Sequence, residues 1–325
     1  GDVANVDQVG AARAFLNALV PAANITQVRL DAYTALNADH DAIVQVVKAD
    51  RNVGDPTHVA ATRAFLDAVV PAANITAASI DEYVRGGADQ LAVVRVVKVG
   101  RDPADLGYIH AARVLLDAGG VLADVSVAHL DATKTFLDAA VPAANITQAR
   151  LDAYVAAVAG GNHGAVAQIA RLNEDVANVD QVGAARAFLD AAVPAANITQ
   201  VRLDAYVAAV AAGNHGAVAQ IARLNGDVAN VDQVGAARAF LDAAVPAANI
   251  TQARLDAYVA GGANQAAIAQ LAKLGRNVAN ANNIRLVKVF LDAGIAPDKI
   301  TENNLTAYNG AGNALAKTAY LNKLR

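Results

Sequence analysis

Residues 226–240 read GDVANVDQVGAARAF, and the same fifteen residues stand at 1–15. Identity over that length makes internal repetition the first property to read. Around it, the phrase PAANIT begins at Pro21, Pro71, Pro142, Pro194 and Pro246. The apolar residue that closes the quoted stretch serves as a marker: Phe15, Phe65, Leu115, Phe136, Phe188, Phe240 and Phe290. Successive markers lie 50, 50, 21, 52, 52 and 50 residues apart. The chain is thus about seven tandem units of 50–52 residues, with one truncated unit near 105–126.

Each full unit reads as three helices. Ten residues before each marker stands Asn5, Asp55, Asp105, Ser126, Asn178, Asn230 or Asn280. All are side chains that cap a helix by accepting an orphan backbone N–H. Gln8, Gln181 and Gln233, three residues on, predict a capping box, and Pro56 suits a first helical position. Val9, Ala12, Phe15, Leu16, Leu19 and Val20 follow the spacing of one buried helical face. Pro21 and its equivalents stop that helix. The second helix is expected after Thr26, Thr76, Ser126, Thr147, Thr199, Thr251 and Thr301. It carries a tyrosine seven residues on: Tyr33, Tyr83, Tyr154, Tyr206, Tyr258 and Tyr308. A third helix, AVAQIARL at 217–224 for example, precedes a polar turn. The fold class is therefore all-α, an α-solenoid in which stacked neighbours supply the core that one unit cannot bury alone.

Ser126 falls in both lists of caps. A deletion of roughly thirty residues, about three-fifths of a repeat, leaves one helix in both roles and predicts an irregular junction. Residues 1–125 then hold repeats 1, 2 and the truncated 3, and 126–325 hold repeats 4 to 7. The last helix, NALAKTAYLNKLR, carries Lys317, Asn322, Lys323 and Arg325 and reads as a polar cap. The first helix repeats an interior one, so Val6, Val9, Ala12, Phe15 and Leu16 are the candidate self-association face.

Composition narrows the function. The net charge is -4, with 26 basic and 30 acidic residues intermingled. A phosphate-neutralising footprint is missing, so no nucleic-acid partner is expected. The absence of cysteine excludes disulfides and thiolate sites. No apolar stretch is long enough for a membrane span. Lacking methionine even at position 1, the chain reads as processed or as part of a longer protein.

No pattern of catalytic residues stands out, and neither an enzyme nor a cofactor is expected. GxSxG, HExxH and a phosphate-cradling glycine loop are all missing from the sequence. DVANVD resembles part of a calcium loop but lacks its glycine and glutamate. The six histidines, His40, His58, His110, His129, His163 and His215, have no metal-ligand spacing. Asn24, Asn74, Asn145, Asn197 and Asn249 each open an Asn-Ile-Thr glycosylation sequon, and Asn304-Leu-Thr adds another. The same residues also suit a turn that leads into a threonine cap. A basic residue two before each marker (Arg13, Arg63, Arg113, Lys134, Arg186, Arg238, Lys288) reads as an ion-pair position, within its helix or between repeats. The tyrosine column reads as inter-helix packing with hydroxyls at the rim.

The unit resembles α-solenoid repeats in the broad sense. Its three helices are similar to armadillo-type units, which are shorter and have a different consensus. DNA-reading bacterial repeats share a helical unit, but their period is shorter and they vary two readout residues. The resemblance therefore implies architecture only. Two functions suit it. One is a non-enzymatic structural protein that self-associates into a filament, surface layer or stalk by end-to-end or lateral stacking. The other is a scaffold that binds another protein or a peptide, with Ser79, Arg85, Arg95 and Tyr108 among its variable positions. An extracellular or cell-surface setting is favoured over the cytoplasm.

Overall fold

A computed structural model of the protein describes residues 5–35, 39–118 and 126–325. The chain divides into two compact units, Gly1–His163 and Gly164–Arg325. Among the described residues there are nineteen α-helices and no strand. Within each unit, consecutive helices pack on one another in chain order, the arrangement of a helical-repeat solenoid.

The first unit opens with α1 (Val6–Asn17), α2 (Gln27–Ala35) and α3 (His40–Lys48), followed by α4 (Pro56–Asp67), α5 (Ala77–Arg85) and α6 (Gln90–Lys98). The truncated repeat contributes α7 (Leu106–Asp117), after which come α8 (Val127–Asp138) and α9 (Gln148–Val158). Helix α10 (His163–Arg171) starts on the last residue of the first unit. The second unit continues with α11 (Val179–Asp190), α12 (Gln200–Val210) and α13 (His215–Arg223), then α14 (Val231–Asp242), α15 (Gln252–Ala260) and α16 (Gln265–Lys273). It closes with α17 (Ala281–Asp292), α18 (Glu302–Gly310) and α19 (Ala314–Leu324).

The marker residues form the core. Phe15, Phe65, Phe136, Phe188, Phe240 and Phe290 are completely buried, and Leu115 nearly so. Each phenylalanine meets the tyrosine of its own repeat edge to face, with ring centroids 5.2 to 5.5 Å apart. Such a pair adds about 0.5–1.5 kcal/mol beyond the area it buries. Around it, alanines let the helices approach closely: Ala236, Ala237, Ala267 and Ala272 enclose Phe240 and Leu271 in the second unit.

The first-helix caps are as expected. Asn178 and Asn230 accept from the backbone N–H three residues on, and Asp55 and Asp105 from the one two residues on. The expected capping boxes are not formed. Gln8, Gln181 and Gln233 turn away from their own N-caps and donate to Asp31, Asp204 and Asp256 on the second helix, at 2.9, 3.0 and 3.0 Å. A hydrogen bond to a carboxylate is about twice as strong as a neutral one, so the second helix wins the amide. A capping box closes at Thr76 and Ser79 instead. Thr147, Thr199 and Thr251 occupy N-cap positions without a side-chain cap bond.

Ser126 caps α8 by accepting from the His129 N–H at 3.1 Å. Helix α8 does serve two roles. Asp131, in its first half, pairs with Arg101 as Asp81 on α5 pairs with Arg51. Phe136, in its second half, is the buried marker of a first helix. The junction at 119–125, with the glycine pair at 119, lies outside the described residues.

Among the described residues, six first helices are followed by a left-handed residue: Leu19, Val69, Ala140, Ala192, Ala244 and Gly294. The following N–H reaches back to the marker carbonyl, as Val70 does to Phe65 at 2.9 Å, and PAAN then forms a 3-10 turn. A β-branched residue at φ 55° is strained. Val69 is largely exposed, so its side chain contributes little packing there. Val69→Gly is therefore expected to raise stability by about 1 kcal/mol in a urea titration. Phe240→Ala should lower it by about 3–5 kcal/mol.

Candidate functional site: the open face of the first helix

Helices α1 and α14 share the sequence VDQVGAARAFL, so differences between them report only what lies next to each. Phe15 is as buried as Phe240 and belongs to its repeat's own core. Val6 is 81% exposed and Val231 79%, so this valine faces solvent in an interior repeat as well. Neither residue discriminates an open end from a covered one. The other three do. Leu16 is 60% exposed against 36% for Leu241. Val9 is exposed where Val234 packs against the core, and Ala12 is half-buried where Ala237 is fully buried. The five-residue candidate face therefore reduces to Val9, Ala12 and Leu16.

In the second unit, the third helix of the preceding repeat covers these positions: α13 packs on α14, with Ala217 and Ile221 joining the same core as Phe240. Leu241 lies over Gly216, where an added Cβ would stand 3.4 Å from its methyl group. Gly164 receives Leu189 of α11 in the same way. Arg238 donates to the Asn214 side-chain oxygen at 2.7 Å and to the Ala212 carbonyl at 3.1 Å. The equivalent Arg63 and Arg113 pair with Asp39 and Asp89, at 2.7 and 3.0 Å. Arg223 donates to the Ala247 and Ile250 carbonyls of the next 3-10 turn, at 2.8 and 2.9 Å. Arg171 makes the matching pair to Ala195 and Ile198, and Gln270 to Pro297 and Ile300.

Other sequence candidates fall into structural places. The sequon asparagines are half-buried and face the end of their own repeat's third helix. Asn24, Asn74 and Asn197 donate through Nδ2 to the Val47, Val97 and Ala222 carbonyls, at 3.2, 2.9 and 3.1 Å. Asn304 donates to the Lys299 carbonyl and accepts from the Tyr320 hydroxyl. A glycan would take one of the two hydrogens of that donating nitrogen. His163 and His215 begin third helices with their rings 5.6 and 5.5 Å from Tyr154 and Tyr206, and His40 stacks on Tyr33 at 4.1 Å. Burial raises the pKa of the Tyr206 hydroxyl. Lys134 and Lys288 pair within their own helices, with Asp138 and Asp292 at 3.0 and 3.2 Å. The arginines that follow third helices reach the next repeat: Arg51 to Asp81, Arg276 to Glu302. The sequence allowed an ion pair between repeats at the basic position, which Arg63–Asp39 and Arg113–Asp89 form; it did not announce the bonds from Arg171, Arg223 and Gln270 or from Arg51 and Arg276, whose partners lie 24 to 30 residues away.

No known protein family, curated protein or solved structure matches this chain. No helix among the described residues is long and apolar enough to cross a membrane.

Two predictions follow from this network. Replacing Asn197 by alanine should cost about 0.5–1.5 kcal/mol, the net worth of its bond to the Ala222 carbonyl, which keeps the Asn225 N–H as a second donor; urea unfolding measures it. The hydrogen bonds from Arg51 and Arg276 hold the Asp81 and Glu302 carboxyls below their ordinary pKa values. Each pair therefore stabilises the fold above the unfolded carboxylate pKa, and that contribution is lost as the pH falls through the folded value. Stability is expected to fall below about pH 4, modestly because the pairs are solvent-screened. Asp81→Asn should remove part of that dependence, as read by thermal unfolding between about pH 2 and 6.

Proposed function

We propose that the chain is a non-enzymatic structural repeat protein that self-associates by stacking helical repeats, with α1 as a contact face. The observation that carries this reading is the contrast between identical helices: Val9, Ala12 and Leu16 are more exposed than Val234, Ala237 and Leu241, which meet a third helix. A heterologous contact of this kind propagates into a filament or layer unless its rotation closes.

A second reading, a scaffold for another protein or peptide, is favoured by a groove that recurs. Val6, Asp7, Gly10, Ala11 and Tyr33 line a cavity of about 480 Å³ in the first unit. Val231, Asp232, Gly235, Ala236 and Tyr258 line one of about 290 Å³ in the second. Equivalent residues surround both, as a ligand with its own repeat would require.

Light scattering after size-exclusion chromatography, with electron microscopy of the fractions, separates the two. Self-association predicts species larger than the 33.1 kDa chain that grow with concentration and are lost in Leu16→Glu. A monomer at every concentration contradicts it and favours the scaffold.

A further inference from the structure

We infer that the joint between repeats 1 and 2 holds a binding cleft for a compact apolar amine. The cleft is separate from the α1 face, and it stands whether or not the chain self-associates.

The cleft is lined by α2, the N-cap of α3, the turn at Val53 and α4, and has a volume of about 630 Å³. That is the size of an ordinary small-molecule site, an apolar hollow with a few polar groups set in it. Val53 and Val59 are buried at its base. Its walls are small residues: Ala32 and Ala35 on α2, Gly54 in the turn, and Pro56, Ala60 and Ala64 on α4. Alanines elsewhere let helices close on one another, whereas these flank open space.

Three charged groups line the cleft, Asp39, Arg63 and Asp67. Two carboxylates against one guanidinium leave an excess of negative charge. Asp39 is the N-cap of α3 but makes no side-chain cap bond. Arg63 Nη2 stands 2.7 Å from Asp39 Oδ1 as an ion pair. That oxygen is enclosed, and among the described residues it accepts no aligned hydrogen bond. The Asp39 side chain keeps 20% of its surface open. A partly desolvated carboxylate with acceptor capacity to spare gains most from a charged N–H donor. An ammonium group on an apolar body therefore matches both the charge and the walls.

Other joints of the same chain show that this combination is particular to one place. Fifty residues on, Ala32, Ala35, Pro56, Ala60 and Ala64 become Glu82, Arg85, Leu106, His110 and Val114. The carboxylate persists there as Asp89, but it accepts a hydrogen bond from Arg113 at 3.0 Å. In the joint before α14 the walls stay small, with Ala205, Ala208, Gly235 and Ala239. There an amide, Asn214, replaces the carboxylate and accepts from Arg238 at 2.7 Å. Of these three joints, the first alone has small walls together with a carboxylate that its arginine leaves short of a hydrogen bond.

Isothermal titration calorimetry on the full chain tests the inference with aminoadamantane, adamantanol and adamantanecarboxylate, which share one apolar body and differ in charge. The amine should bind roughly tenfold or more tightly than the carboxylate, with the alcohol between them. Asp39→Asn installs the residue that stands at 214 and should bring the amine down to the alcohol's affinity. Ala60→His with Ala64→Val uses repeat 3's own choices to fill the cleft and should weaken all three by roughly tenfold or more. Circular dichroism checks that the filled variant keeps its helices; if it does not, the order of affinities in the wild type and in Asp39→Asn decides. Failure of all three compounds to bind the wild type overturns the inference. So does a carboxylate that binds as tightly as the amine, or undiminished binding to a folded, filled variant.

Discussion

The packing of a first helix onto the third helix before it is the interaction on which the rest of the structure depends. The marker phenylalanine does not need that helix, for Phe15 is as completely buried as Phe240. What α13 supplies is cover for the outward side of α14, at Val234, Ala237 and Leu241, and with it the continuity of the core from one repeat to the next. The alanines bring those helices close, and Gly216 lets Leu241 settle onto backbone. Polar bonds then fix the register: Arg238 to the N-cap of the helix behind, and Arg223 forward to the next 3-10 turn. The polar bonds add modest energy individually but specify which helix face meets which.

Much of this was legible in the sequence. The capping residues located all seven first helices, because an N-cap side chain has a local, short-range job. The marker phenylalanines and tyrosine column predicted the aromatic pairs, since helical spacing decides which side chains share a face. The double role of Ser126 followed from the 21-residue spacing alone, and the Arg101–Asp131 pair gives it physical content.

What the sequence hid was which neighbour each side chain chooses. Gln8, Gln181 and Gln233 sit where a capping box would form, but their amide nitrogens donate to a carboxylate on the next helix, which holds the side chain away from the N-cap N–H. Periodicity placed Phe240 and Leu241 on one apolar arc, as it did Phe15 and Leu16, yet Phe240 lies in the core while Leu241 rests on Gly216 of the third helix before it. The sequon asparagines carry a familiar motif, whereas their amides complete the end of a third helix 23 to 25 residues later. The left-handed turns at Leu19 and Val69 carry no glycine to announce them.

The claim that repeat-on-repeat packing sets local stability is open to a direct measurement. Helices α1 and α14 have the same sequence from Val6 to Leu16 and from Val231 to Leu241, so their intrinsic amide exchange rates match. Hydrogen exchange followed by mass spectrometry in dilute solution therefore compares them with only their neighbours differing. Far slower exchange in α14 than in α1 is the predicted result. Equal protection of the two helices would contradict the account, because α1 would then need no third helix behind it.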